Sequence, residues 1–138
     1  MSGPALRKVE SHSSIHEAAL TEASELTELL ENLLSQNDND KAYQVACILL
    51  EHWESRTLQH AESEEEGLYQ EIKKEFPEHY DAITALVRDH DMLREIAAYI
   101  KDQLAEQVIN QDIAHQFRAL IIIDELHNIK ELTVLPEH

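Results

Sequence analysis

Two five-residue segments organise this chain: residues 60–64 read His-Ala-Glu-Ser-Glu, and residues 127–131 read His-Asn-Ile-Lys-Glu. The pairs His60 with Glu64 and His127 with Glu131 each place an imidazole and a carboxylate four residues apart. On a helix this spacing puts both side chains on one face, about one turn apart. With 28 acidic residues in 138, such pairs also arise by chance. Their position within the pattern of the whole chain therefore decides whether they have meaning.

Composition favours a single all-helical domain over residues 1–138. The length suits one hydrophobic core. Only 2 glycines and 3 prolines interrupt the chain, and 43% of the residues are hydrophobic. Many Glu, Leu and Ala residues with few turn residues favour long helices over strands. The net charge of −17 argues against a nucleic-acid partner, because phosphate repels such a surface.

The sequence predicts neither a membrane span nor a secretory signal. No apolar run approaches the roughly 20 residues that a span requires, and no basic and then apolar segment opens the chain. Cys47 is the single cysteine, so an internal disulfide is excluded and a reducing compartment is indicated. We therefore expect a cytoplasmic protein without a membrane partner.

Apolar residues recur at three- and four-residue spacing over four segments, as is typical of amphipathic helices. Ser14 and Glu17 form a capping-box pattern that predicts the start of the first helix, after a mobile arm or an extra turn over residues 1–11. The first two predicted helices cover residues 14–33 and about 41–74. The third lies between turns at 74–77 and 107–110, with its apolar stripe over residues 83–104. The fourth begins near Asn110 or Asp112 and ends near Pro136. Short connections between them predict an all-α fold, an antiparallel up-down-up-down four-helix bundle.

One histidine of each predicted helix falls at the same height in such a bundle. Residues at equal distance from a turn lie level, and His16 and His60 are both 20 residues from a first turn placed at 36–40. His60 and His90 lie 14 and 13 residues from the second turn, and His90 and His127 lie 17 residues from the third. At about 1.5 Å of rise per residue, an error of two residues in the position of a turn changes the height by only about 3 Å.

Glu64 and Glu131 lie on the apolar, and therefore buried, faces of the second and fourth predicted helices. Burial of a carboxylate without a positive partner costs several kcal/mol, and the inner lines carry no Lys or Arg. A pair of divalent cations would supply the missing charge. The sequence therefore predicts a metal site whose ligands are His16, His60, Glu64, His90, His127 and Glu131. His12, four residues before His16, is the alternative ligand from the first helix.

This pattern resembles the hemerythrin-like, or HHE cation-binding, family. That family has His on helix 1, His-x-x-x-Glu on helix 2, His on helix 3 and His-x-x-x-Glu on helix 4. The six residues named above meet the pattern, and the resemblance covers about residues 12–136. It implies a non-haem di-iron centre, two Fe ions with an oxo or hydroxo bridge, inside the bundle.

The resemblance also implies roles for the ligands. His16 and His60 would bind one iron, His90 and His127 the other, and Glu64 and Glu131 would bridge them. Open positions would accept oxygen, nitric oxide or peroxide. The implied functions are sensing or handling of iron, oxygen or nitric oxide, or repair of iron centres, and enzymatic activity is left open. A homodimer is compatible with the sequence.

The chain departs from the oxygen-carrying hemerythrins at two positions. Arg94 stands where they have a second histidine on helix 3, and Glu131 stands where they use Asp at a longer spacing. The four-His, two-Glu set is instead similar to that of bacterial iron–sulfur repair proteins, which have an additional N-terminal domain that this sequence lacks. Reversible oxygen carriage is therefore not expected.

The other candidate residues are assigned to ordinary structural roles. His52, His79 and His115 are off level and expected to be exposed, as are Glu65 and Glu66. Cys47 and Tyr69 are expected in the core, and a role at the site is the alternative for Tyr69. Asp124 could orient an imidazole, although a solvated position is also expected for it.

Two further functions remain open from the sequence. A ferritin-like di-iron oxidase would need Glu-x-x-His on two helices. Only Asp112-x-x-His115 and Asp124-x-x-His127 approach that motif, and both lie on the fourth helix. A metal-free helical interaction module is the other alternative, which analysis of bound metal would distinguish.

Overall fold

The computed structural model describes the backbone of residues 4–135 and the side chains of residues 14–135, and every regular element in that range is helical. The helical elements form four rods, of which the second is built from several consecutive segments. This confirms the all-α prediction. The elements are α1 (Pro4–Ser35), α2 (Asn39–His52), a π-helical segment (Trp53–Leu58), α3 (Gln59–Glu66), α4 (Leu68–Glu75), a 3-10 turn (Pro77–His79), α5 (Tyr80–Ala105) and α6 (Gln111–Val134).

Side-chain caps begin two of the helices where the sequence predicted turns. Asp38 precedes α2, and its carboxylate accepts a hydrogen bond from the backbone N–H of Lys41 at 3.3 Å. Asn110 precedes α6, and its Oδ1 accepts from the N–H of Ile113 at 3.1 Å. Each cap satisfies a donor that has no partner within its helix. The first and third turns are thereby confirmed.

The start of the first helix was predicted wrongly. α1 begins at Pro4, so Ser14 lies inside the helix rather than at its cap. Once a helix is nucleated, each added residue contributes a further hydrogen bond, and residues 5–10 contain good helix formers. Residues 1–3 of the predicted arm lie outside the described part of the chain.

The second predicted helix, residues 41–74, is interrupted twice. Residues 53–58 adopt π-helical geometry, in which one extra residue is accommodated per turn. Gly67, with φ −113° and ψ −85°, then separates α3 from α4. The segment that carries His60 and Glu64 therefore lies between two irregularities, whereas the apolar period alone predicted a continuous helix.

The helices pack side by side, α1 against α2 and α6, and α5 against α6 and α2. Buried apolar side chains form two clusters. The larger cluster contains Trp53, Leu93 and Ile121, and the smaller one contains Tyr69 and Leu86. Along both α5 and α6 the buried polar residues fall between these clusters, so a polar layer crosses the core.

Two predictions about surfaces can also be compared with the structure. Cys47 is exposed, so its assignment to the core was wrong: it lies one position from the buried line through Ala46 and Leu50. Within residues 4–135, no helix combines the length and the apolar character needed to cross a membrane.

Candidate metal centre

The polar layer brings together the four histidines that the sequence placed at one level. The ring centroids of His16 and His60 are 5.0 Å apart, and those of His90 and His127 are 4.5 Å apart. His16 also stacks on His127 at 6.4 Å, so the two pairs adjoin. Four separate helical segments, α1, α3, α5 and α6, each contribute one ring.

Glu64 lies between the two histidine pairs and presents one oxygen to each. Its Oε2 is 3.4 Å from His16 Nε2 and 3.7 Å from His60 Nε2. Its Oε1 is 3.2 Å from His90 Nε2. The carboxylate is buried, and its two oxygens face opposite sides of the layer.

Glu131 likewise presents one carboxylate oxygen to each of the two histidine pairs. Its Oε1 is 3.4 Å from His16 Nε2, and its Oε2 is 3.3 Å from His127 Nε2. Both carboxylates therefore have the geometry of bridges between two adjacent positions. The donor atoms form two groups that share Glu64: one of Glu64, His90, His127 and Glu131, the other of His16, His60 and Glu64.

The spacing of the donor atoms fits a bound metal ion. Two donors at about 2.1 Å from one ion lie about 3.0–3.4 Å apart for angles between about 90° and 110°. The Nε2 atoms of His90 and His127 are 3.2 Å apart, and most carboxylate–imidazole distances above lie in the same range. This buried His and Glu cluster could hold a metal ion.

The two donor groups differ in their access to solvent. The side chains of His90 and His127 are 2% and 1% exposed, whereas those of His16 and His60 are 10% and 24% exposed. A cleft of about 340 Å³ between α1 and α6 reaches His16 and Glu131. An ion on the His16 side would therefore be closer to solvent.

Asp89 orients His127 and was missed in the sequence. His127 Nδ1 donates to Asp89 Oδ2 at 3.1 Å, which leaves Nε2 directed at the donor cluster. Lys130 Nζ donates to both oxygens of Asp89 at 3.3 Å, so this buried carboxylate has a positive partner. Burial lowers the pKa of His127, but the hydrogen bonds to Glu131 and Asp89 and the charges of Glu131 and Glu64 outweigh that effect and raise it.

Glu65 has the same role for His90, so the prediction that it faces solvent was wrong. His90 Nδ1 donates to Glu65 Oε2 at 2.7 Å, and Arg94 Nη2 donates to the same oxygen at 2.6 Å. Arg94 also bonds Asp91 at 3.0 Å. Glu66, by contrast, is exposed as predicted. The one-residue difference between Glu65 and Glu66 is a rotation of about 100° around the helix.

Tyr69 belongs to the site as well as to the core. Its hydroxyl donates a short hydrogen bond to Glu131 Oε2 and lies 3.4 Å from His127 Nε2. Its ring stacks on His90 at 5.6 Å. Burial raises the pKa of Tyr69, and the charges of Glu131 and Glu64 raise it further, so the phenol remains protonated and can donate. The expected core position is confirmed, and the hydrogen bond to Glu131 also supports the alternative role at the site.

Asp124 is buried, so the solvated position expected for it was wrong. Its Oδ1 has no hydrogen-bond partner among the described residues. Burial raises the pKa of Asp124 to about 6, although the nearby charges of His16 and His127 oppose the shift. A carboxylate in this position adds to the negative charge around the cluster, which a bound cation would offset.

Comparison of the chain with models of known protein families, with curated proteins and with solved structures found no significant match. The chemistry of the donor set therefore carries the interpretation.

The remaining histidines divide into three outcomes. His115 is exposed and His79 is partly exposed, broadly as predicted. His52 is buried, contrary to prediction, because its Nε2 donates to the carbonyl oxygen of Ala19 at 2.8 Å and fastens α2 to α1. The side chain of His12 lies outside the described residues, whereas His16 reaches the cluster.

Proposed function

We propose that this chain is a hemerythrin-like protein whose cluster binds two iron ions bridged by Glu64 and Glu131. The observation that carries the proposal is the orientation of these two carboxylates. Each presents one oxygen to the His16 side and the other to the His90 or His127 side. Mixed imidazole and carboxylate donors suit iron.

The up-down-up-down arrangement is part of the same proposal. Along α1 and α6, His16 contacts Glu131 while Glu31 contacts Arg118. As the residue number rises along α1, the number of the contacting residue on α6 falls, which supports an antiparallel orientation of these two helices. Short connections at residues 36–38 and 106–110 support the same relation for the neighbouring pairs of rods.

The residues around the cluster would orient ligands and set their charge. Asp89 and Glu65 accept the Nδ1 protons, so that Nε2 of His127 and His90 remains available as a ligand. The Tyr69 phenol holds one oxygen of Glu131. When bound, iron would supply a redox couple and open positions for oxygen or nitric oxide.

The physiological function that fits this arrangement best is sensing or handling of iron, oxygen or nitric oxide, or repair of iron centres. The partly exposed His16 and His60 side favours exchange of small ligands with solvent. We do not propose reversible oxygen carriage, because Arg94 pairs with Glu65 and Asp91 and does not supply another imidazole.

The direct test is metal content after anaerobic reconstitution with ferrous iron. We expect two irons per chain, measured by elemental analysis and native mass spectrometry. His60→Ala and His127→Ala should each lose iron, because each removes an imidazole from one donor group. His115→Ala is the matched control, because His115 is exposed. His52 is unsuitable as a control because its ring bonds Ala19.

The outcomes separate the alternatives. One tightly bound ion without a second would contradict the di-iron proposal. Failure to bind iron or any other divalent ion would support a metal-free helical module. Unchanged iron content in His127→Ala would contradict the ligand assignment.

A further inference from the structure

The outer surface of α6 is apolar as well as its inner surface. Four aliphatic side chains on that outer surface are each between 52% and 63% exposed: Ile122, Leu126, Ile129 and Leu132. The opposite side of α6 is packed in the core through Phe117, Leu120 and Ile121. A helix that is apolar on both sides normally has both sides covered. Exposed apolar surface of this extent on one helix marks an interaction site.

The spacing of the outer residues is that of a coiled-coil seam. Ile122, Leu126, Ile129 and Thr133 follow each other at intervals of four, three and four residues, with Ala119 three residues before Ile122. Such spacing keeps one narrow stripe facing a partner helix over about two heptads. We call Ala119, Ile122, Leu126, Ile129 and Thr133 the α6 seam. Leu132 and the half-buried Ile123 widen it on either side.

We propose that the α6 seam joins this chain to a second copy of itself, with the two α6 helices parallel across a two-fold axis. Charges that flank the seam favour this occupant. In a parallel coiled coil with seam positions a and d, the g residue of one helix faces the e residue of the following heptad in the other helix, five positions later in number. With Leu126 at position a, Glu125 is at g and Lys130 is at e. Glu125 therefore faces Lys130 of the second copy, and symmetry forms this pair twice. Both residues are exposed.

Lys130 can take part in this pair while it holds Asp89. Its ammonium carries three donors, and its side chain is still about half exposed beside Asp89. An antiparallel pairing would not bring Glu125 and Lys130 together, so the charges select the parallel orientation.

The size of the seam sets the expected strength of the dimer. From Ala119 to Thr133 it extends about 21 Å, which is short for the roughly 800 Å² per partner of a standard interface. Each chain also carries a net charge of −17, so two copies repel each other at long range. We therefore expect a dissociation constant in roughly the micromolar range. Salt should tighten the dimer, because it screens the net repulsion.

Sedimentation equilibrium of the full chain tests the proposal. The expected result is a monomer–dimer equilibrium that shifts at least about tenfold toward monomer in Leu126→Glu. Ile48→Glu is the matched control, because Ile48 is equally exposed on α2, away from the seam. Circular dichroism confirms that both variants fold. A monomer at all concentrations up to about 100 µM overturns the proposal and leaves the seam to a different partner. A dimer that survives Leu126→Glu also overturns it.

Disulfide trapping tests the orientation. Cys47 is exposed and is first replaced by serine. Ile122→Cys, Leu126→Cys and Ile129→Cys, made one at a time, should each form a disulfide with the second copy if the helices are parallel. Cross-linking at one position only would show an antiparallel pair and overturn the assigned orientation. Both experiments can be done on metal-free protein, so their result is independent of the iron proposal.

Discussion

At the scale of single residues, the proposed ligands can be predicted from the sequence, whereas the residues that orient them cannot. The imidazoles and the two glutamates follow the apolar lines of their helices. Asp89 and Glu65 lie one position beside such a line, where sequence alone indicates solvent. Each nevertheless forms an ion pair with a cation from a neighbouring helix, Lys130 for Asp89 and Arg94 for Glu65. In both cases a cation contacts a carboxylate, the carboxylate accepts a hydrogen bond from an imidazole, and the imidazole faces the cluster.

Asp89→Asn should weaken iron binding about 10- to 100-fold, because the amide cannot hold the His127 tautomer as a carboxylate does. Competition with a chelator of known affinity, read as iron retained per chain, measures the change. Asp102→Asn makes the same change at an exposed position of α5 and should leave affinity unaltered. Equal affinities for Asp89→Asn and the unaltered protein would show that Asp89 does not orient the ligand.

At the scale of helices, one ion pair fastens α1 to α6 far from the cluster. Arg118 Nε and Nη2 donate to the two oxygens of Glu31 at 2.8 and 2.6 Å. The hydrogen bond from Arg118 lowers the pKa of Glu31, against the opposing effect of burial. Both side chains are more than a third exposed, so solvent screens the interaction.

Glu31→Gln should lower the free energy of unfolding by about 0.5–1 kcal/mol at pH 7. The folded pKa of Glu31 lies below its unfolded value of about 4.3. The stabilisation is therefore present above that value and is lost as the pH falls through the folded pKa. Urea titrations of metal-free protein at neutral and acidic pH measure both effects, with Glu25→Gln as the exposed control on α1. A loss of stability that does not shrink at acidic pH would contradict this account.

At the scale of the whole molecule, charge makes stability depend on bound metal. The chain carries −17, and the buried side chains around the cluster include Glu64, Asp89, Asp124 and Glu131. Cations bound there would offset that charge and connect α1, α3, α5 and α6. Folding and metal binding are therefore expected to be coupled.

Iron loading should raise the melting temperature, and a strong chelator should reverse the change. A ligand at 100 times its dissociation constant stabilises the folded state by about 2.7 kcal/mol per site. Differential scanning calorimetry under anaerobic conditions measures the shift. In His60→Ala the shift should be smaller, because one donor group is incomplete. Identical melting temperatures with and without iron would show that the cluster does not hold the metal in the folded chain.

Local features of the sequence were enough to predict the four helical regions, two of their caps and the common level of four histidines. Helical periodicity indicates which face of a helix is buried. Equal distances from a turn indicate that two residues lie at the same height along the bundle. Both depend on short stretches of chain, so His16, His60, His90 and His127 could be found without a structure. Glu64 and Glu131 could be found in the same way, because each shares the buried line of a histidine.

Tertiary structure alone decided the contacts across helices. Asp89 and His127 are 38 residues apart, and Tyr69 and Glu131 are 62 apart. Such pairs depend on the lateral placement and rotation of neighbouring helices, which the period of one helix does not contain. The π-helical segment and the break at Gly67 also rotate residues 59–75 relative to an ideal helix. Packing of the neighbouring rods, and not the local sequence, thus determined that Asp89, Glu65 and Tyr69 contact the ligands of the cluster.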